Sequence, residues 1–439
     1  MINASKSDLK NEVFPSQIRE RIDEPTNFPP SDTSPAPERV VGSRHVAQAK
    51  SCTQQRTARA EHRTDEPTTF LEPGIIGVLV SGGDCAGLNA LVRAIVLHAV
   101  KSYNWRVIGI KRGFPGIWSR PMQTMDLTPE VCNNLWQTSG GIFLGSNKNA
   151  SLSKAAGDGK ALADLQEAFV AGYNALGLDA LIVVGGDGSF AQLAEISDYG
   201  SPASQPERRP NIIAIPKTID NDVPYTDLAI GHETALDVIV EAIDKLQTTA
   251  ESHDRVIVVE VMGKDAGHIA LKSGIAAGAD AILIPEIPYD IEALAAHIKA
   301  ILQNWKKYAI VVVAESVKTP QGEAKVRTIG ADEQTRYYGV GEHIAFCLKS
   351  RLPAEVRSVT LGHVQRGGGP RAGDRLLAAK LGVAAVDFIR RGEFGRVLCT
   401  VNGEIIGVAL GDVVGKTKIV EKESELVRAA VALGIYIGA

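Results

Sequence analysis

The chain has 439 residues, of which 44% are hydrophobic and 22% charged, enough apolar content for roughly two or three domains with real cores. A formal net charge of −4 argues against a protein that binds nucleic acid by neutralising phosphates, which needs a basic surplus. Five scattered cysteines without a CxxC pair argue against a zinc site or a disulfide framework and suit a reducing compartment. No apolar run reaches the ~18 residues of a membrane helix and no signal-peptide core opens the chain, so the expected location is cytoplasmic.

In chain order, residues 1–72 are rich in Pro, Ser, Thr, Glu and Arg and lack apolar periodicity. Such a segment buries too little apolar area to offset its ordering entropy, and a disordered tail is expected. From residue 75 short apolar runs alternate with longer amphipathic segments. IIGVLV, RVIGI, ALIVV, NIIAI, RVIVVEV, DAILI and YAIVVVA read as strands buried on both faces. NALVRAIVLHAV, TALDVIVEAIDKLQTTAES, IEALAAHIKAILQNW and DRLLAAKLGVAAVDFIRRG read as the helices between them. Repeated βα units imply an α/β protein with open, largely parallel sheets covered by helices on both faces. This many elements suggests two such sheets, with ligands at the C-terminal ends of the strands.

The loops at those ends carry unusual residues. SGGDCAG (81–87) offers Gly82 and Gly83 for close approach of an anion at a helix N-terminus, although a plain tight turn explains it equally well. It matches neither GxGxxG nor GxxxxGK[ST]. In GGDGS (185–189), Asp187 sits among glycines where phosphate would approach. A carboxylate there needs an intervening cation such as Mg²⁺, unless it only caps the following helix. PKTIDND (216–222) sets Lys217, Thr218, Asp220 and Asp222 together, a cation and hydroxyl for phosphate and a carboxylate for a proton. A solvated charged turn is the plain alternative. VMGKDAGH (261–268) and LGHVQRGGGPRAGDR (361–375) follow, and in the latter His363 and Arg366 suit a sugar phosphate. Together these loops point to Mg²⁺-dependent transfer of a phosphoryl group to a small phosphorylated hydroxy compound.

The set SGGDCAGLNA, GGDGS, PKTIDND, VEVMGKDAGHIAL and LGHVQRGGGPRAGDR, in this order, resembles the 6-phosphofructokinases over residues 75–439. The resemblance implies two unequal lobes with the active site in the cleft between them. A donor lobe would comprise 73–231 plus 364–412, and a fructose 6-phosphate lobe 232–363 plus 413–439. It also implies a homo-oligomer, tetramer or dimer, in which a neighbouring subunit completes the sugar-phosphate site. The reaction would move a phosphoryl group from ATP to the 1-hydroxyl of fructose 6-phosphate. Asp220 would be the general base, Thr218 would touch the transferring phosphate, and Asp222 would orient the base and metal region. Asp187 would hold Mg²⁺. Gly82, Gly186, Gly188 and Ser189 would pack against the donor phosphates, with Lys148 reaching the donor. Met262, Gly263, Glu315, His363 and Arg366 would hold fructose 6-phosphate, and Arg255 and Arg357 would reach the neighbour's substrate.

Two departures stand out. Lys264 occupies the place of a common Arg, keeping charge but losing the fork. Leu97 and Gln247 replace basic residues of the bacterial effector site, so regulation in the bacterial manner is not expected. For the donor, Gly188 leaves room for the α-phosphate of a nucleotide, whereas Lys217 is the choice of pyrophosphate enzymes. The steric criterion weighs more, because a flexible Lys can swing towards ATP, and ATP is the expected donor. Pyrophosphate or ADP is the alternative, and a non-catalytic regulatory subunit is a further one.

Overall fold

The structure, a computed structural model, describes residues 74–147, 159–197, 210–319, 322, 326–328, 335–337 and 339–438. The chain divides into Met1–Asp65 and Glu66–Ala439, and every described residue belongs to the second unit. The expected tail, 1–72, and Lys148 lie outside the described residues.

The first elements are β1 (Ile75–Val80), α1 (Leu88–Tyr103), β2 (Arg106–Ile110), α2 (Pro115–Trp118), β3 (Thr124–Leu127) and α3 (Asn134–Thr138). There follow α4 (Gly159–Ala175), β4 (Ala180–Gly185), α5 (Asp187–Ser197), β5 (Ile212–Pro216) and α6 (His232–Ser252). A second group comprises β6 (Arg255–Val261), α7 (His268–Ala276), β7 (Ala281–Leu283), α8 (Ile291–Asn304), β8 (Ala309–Ala314), β9 (Val326–Thr328) and β10 (Thr335–Tyr337). The chain closes with α9 (Val340–Lys349), β11 (Glu355–Thr360), a 3₁₀ turn (Gly362–Arg366), α10 (Ala372–Arg390), β12 (Arg396–Val401), β13 (Glu404–Ala409), α11 (Leu410–Val413) and α12 (Glu425–Ala432).

Among the described residues the strands form a seven-stranded sheet ordered β13-β12-β5-β4-β1-β2-β3, a four-stranded sheet ordered β11-β6-β8-β7, and a β9–β10 hairpin. All of the expected apolar runs are strands. In the larger sheet β2, β1, β4, β5 and β12 run parallel, and the edges β3 and β13 are antiparallel. The smaller sheet is wholly parallel. Parallel neighbours need long crossovers, which the helices supply; β12 and β13 are joined instead by Asn402-Gly403, both at positive φ, the geometry of a tight hairpin turn.

Burial on both faces of the large sheet follows from period-two alternation. Ile182, Val184, Ile213 and Ile215 face one core with Leu91 and Ile95 of α1 and Leu381 and Ala385 of α10. Leu181, Val183, Ile212 and Ala214 face a second core with Phe169 of α4 and Phe190 and Leu193 of α5. The first core continues without a break into the small sheet through Ile239 and Ile243 of α6 and Val256, Val258, Val259 and Val261 of β6.

The start of α6 is fastened from a distance. Its N-cap, Gly231, has no side chain to offer. The fully buried Asp374 of α10 fills that role, accepting from Gly231 N–H at 2.7 Å and Thr234 N–H at 2.8 Å, amide groups that a helix end leaves without internal partners. Asp374→Ala strands these donors and is expected to cost about 1–3 kcal/mol or more. Thermal unfolding of the variant would show it as a lowered melting temperature; an unchanged one would mean that water replaces the carboxylate.

Candidate active site

The strand order decides which loops meet. Because β1, β4 and β5 are parallel neighbours, the loops after them, starting at Ser81, Gly186 and Lys217, emerge side by side at one sheet edge. In the small sheet the loops after β6, β8 and β11 do the same, presenting Met262, Glu315 and the turn with His363 and Arg366.

On the first edge main-chain bonds stitch the loops together. Ser81 N–H donates to the Val184 carbonyl and Lys217 N–H to the Gly185 carbonyl, both at 2.9 Å. Gly82 has φ 85, and a Cβ there would lie 3.0 Å from Lys217 Nζ and 3.2 Å from Ser189 Oγ. Lys217, expected to be flexible, is only 3% exposed, and its ammonium donates to the Gly83 carbonyl. In this position the Lys217 side chain is packed beneath the glycine turn. Asp187 and Gly188 open α5, and a Cβ on Gly188 would meet nothing within 4 Å.

The loop after β5 turns the carboxylates inward. Thr218 Oγ1 donates to Asp220 Oδ2 at 3.2 Å and accepts from Asp220 N–H at 3.1 Å, a local bond that fixes both side chains. Asn221, at φ 54, turns the chain so that Asp222 is also buried. Burial, and then the charge of Asp220, pushes the Asp222 carboxyl above its ordinary range. Lys264 crosses from the other edge, with Nζ 3.6 Å from Asp187 Oδ2 and 3.8 Å from Asp222 Oδ2. Its burial alone would lower the ammonium pKa, but the carboxylates outweigh this and raise it. Asp222 Oδ1 is buried without a hydrogen-bond partner among the described residues. A cation-seeking pair of carboxylates with a spare oxygen fits Mg²⁺, which takes one or two carboxylates and otherwise phosphate and water oxygens.

On the second edge Glu315 Oε1 accepts from Gly263 N–H at 3.3 Å and Lys264 N–H at 3.0 Å. Its carboxyl is pushed up to about 7, chiefly by burial. Arg366 reaches back across the cleft, Nη1 to the Asp84 carbonyl at 3.2 Å, while His363 is exposed. Two contributors escaped the sequence reading. Gln365 is buried and accepts from Met262 N–H at 3.1 Å, tying the 3₁₀ turn to the Met262 loop; its presence inside HVQR was its only signal. His232, fully buried, donates from Nδ1 to the Ile219 carbonyl at 2.7 Å and accepts from Lys272 at 3.1 Å. Burial, then Lys272, holds its pKa down to about 3, so it is a neutral brace behind the loop.

Arg255 and Arg357 are not brought to this cleft. Arg255 opens β6 while Met262 follows its end, about 20 Å away at the usual rise per residue. Both arginines bond Glu355, Arg255 Nε at 2.6 Å.

An α/β fold whose glycine-rich strand ends face carboxylates and a bridging cation has the parts that a phosphoryl-transfer enzyme uses. The family model described as Phosphofructokinase matches residues 75–389, and the chain belongs to that family. It is 44% identical over 364 residues to ATP-dependent 6-phosphofructokinase 1 of Synechocystis, covering 83% of this chain and 98% of that protein. Against ATP-dependent 6-phosphofructokinase 2 of Clostridium perfringens it is 39% identical, with 82% and 97% covered. Among solved structures, phosphofructokinase from Saccharomyces cerevisiae matches with TM-score 0.65 and 28% identity over 77% of this chain. The match spans 45% of the yeast chain, less than half its length. Pyrophosphate-dependent phosphofructokinase from Nitrosospira multiformis shares the fold, with TM-score 0.66 and 20% identity over 84% of this chain and 93% of that one.

The raised Glu315 pKa gives a signed expectation. Below pH 4.5 the carboxyl is protonated folded and unfolded; between 4.5 and about 7 only the folded state keeps the proton, so its stability contribution is lost as pH rises through that window. Glu315→Gln keeps the acceptor and should gain stability relative to the parent from pH 4.5 to 7. Parallel melting curves across pH would contradict this.

Proposed function

We infer that the chain transfers a phosphoryl group from ATP to the 1-hydroxyl of fructose 6-phosphate, giving fructose 1,6-bisphosphate. The observation that carries this reading is the convergence of Asp187, Asp222 and Lys264 from two sheet edges beside the hydrogen-bonded pair Thr218 and Asp220. The 44% identity to an enzyme named for this reaction supports it.

In this reading Asp220 takes the proton of the attacking hydroxyl, with Thr218 holding its carboxylate in place. Asp222 stays behind as the buried negative charge that orients the pair. Gly82, Gly186, Gly188 and Ser189 line the donor phosphates, with Lys217 beneath them and Lys148 near the donor. Asp187 would hold Mg²⁺, with Asp222 beside it, and the ion would supply neutralisation of the phosphate charge. Lys264 adds a second positive charge as a compact ammonium without a guanidinium fork. Met262, Gly263, Glu315, His363 and Arg366 hold the sugar phosphate. Arg255 and Arg357, at the far end of their strands, are read as completing the site of a neighbouring subunit in a dimer or tetramer. The lobes are read as 73–231 plus 364–412 and 232–363 plus 413–439, a division that the strand membership of the two sheets supports. A reducing, cytoplasmic setting suits the free Cys85, Cys132, Cys347 and Cys399.

A panel of ATP, ADP and pyrophosphate with fructose 6-phosphate and Mg²⁺ tests the donor; pyrophosphate turnover without ATP turnover would favour the reading that Lys217 suggests. Asp220→Asn should lower kcat by ~10²–10⁴, and full activity would remove it as the base. Gly188→Asp should abolish ATP use in a folded protein, since a Cβ there has open space around it. Undiminished ATP turnover in a folded Gly188→Asp variant would refute the steric argument.

A further inference from the structure

After α11 the chain returns past the active-site loops, and Lys418 is bonded to both while Val420 shares an acceptor with one of them. Lys418 N–H donates to the Asp222 carbonyl at 2.7 Å. Its ammonium donates to the carbonyls of Thr226 at 2.7 Å and Asp227 at 3.4 Å, beyond the turn that follows Asp222. The carbonyl of the same residue accepts from His268 Nε2 at 3.0 Å, so that ring carries its proton on Nε2. Two residues on, Val420 N–H donates to Glu286 Oε1 at 2.9 Å, and the same oxygen takes Gly267 N–H at 2.9 Å. Gly267 and His268 end the loop that begins at Met262 and carries Lys264.

The loop after β5 needs such support. Asn221 and Tyr225 stand in the left-handed region at φ 54 and 61; Asn tolerates it, but a Tyr adopts it only when its surroundings hold it there. Within the turn the Asn221 side-chain amide donates to the Asp227 carbonyl at 3.0 Å, while the carbonyls of Asp222 and Thr226 are met from outside it. The main-chain N–H of Lys418 takes the first and its ammonium the second.

We propose that Lys418 is a positioning residue for phosphoryl transfer: its ammonium holds the turn after Asp222, and its main-chain bonds to Asp222 and His268 carry that position to the Met262–His268 loop, so that base and acceptor meet at the reacting distance. The proposal rests on Asp220 being the base. It concerns kcat, because misplacing a base by an ångström costs on the order of 10²-fold in rate, whereas a side-chain variant keeps the main-chain bond to His268 and with it the place of Met262 and Gly263.

The test is steady-state kinetics of Lys418→Met, which keeps stem and main-chain N–H but loses the ammonium, beside Lys418→Arg, which keeps a charged donor. The expected result is a kcat lowered on the order of 10²-fold for Lys418→Met, with KM for ATP and fructose 6-phosphate little changed, and substantial recovery in Lys418→Arg. A kcat equal to the parent's overturns the proposal. So does a joint fall of kcat, substrate affinity and melting temperature that Arg does not relieve, which is the signature of a merely structural lysine. Should Lys418→Met not fold, Lys418→Gln, which keeps a neutral donor on the side chain, is read by the same split. A parent active on fructose 6-phosphate beside an unaffected Lys418→Met removes the role of Lys418 alone; full activity of Asp220→Asn removes the base on which it depends.

Discussion

Asp187, Asp220 and Asp222 crowd one cleft, two of them buried, and like charges in a medium of low dielectric repel strongly. A fold can hold them only if cations and donors are built around them. Much of the surrounding architecture answers that demand. The parallel order of β4 and β5 sets the Asp187 and Asp220–Asp222 loops side by side, and β6 in the other sheet aims Lys264 between them. Thr218 ties Asp220 locally, while His232, kept neutral, braces the same loop without adding charge.

Lys264 shows how the two edges communicate. Its main-chain N–H is held by Glu315 on the sugar side, and its ammonium lies among the carboxylates of the donor side. It stands at φ 52, a backbone state that costs a non-glycine residue energy. The strain is borne where the chain must turn sharply enough to point a side chain across the cleft.

Much of this was legible in the residues, and the gaps have physical causes. Strands buried on both faces announced themselves as continuous apolar runs, and the site residues as charges at their C-terminal ends. The edge strand β11 did not, because much of it faces water: it reads EVRSVT, with only Val356 buried. The β12–β13 hairpin carried a local sign, Asn402-Gly403, that went unread. Asp374 sat inside a motif suggestive of sugar-phosphate binding, yet it caps a helix distant in sequence, a role that no local pattern encodes. Gln365 and His232 were hidden for a related reason: their partners are main-chain groups of other loops.

That remote cap has a consequence for how the chain comes to be folded. Gly231 and Asp374 are 143 positions apart, and β12, at Arg396–Val401, pairs with β5 at Ile213 and Ala214. A ribosome thus delivers β5 with one edge open and α6 with an unsatisfied first turn, and both wait for the last quarter of the chain. Pairings this distant close slowly, because loop entropy is lost before the contacts form. Nascent chains of this protein spend their synthesis with an apolar sheet edge unprotected, which makes its C-terminal segment the piece that protects the larger sheet from association with other chains.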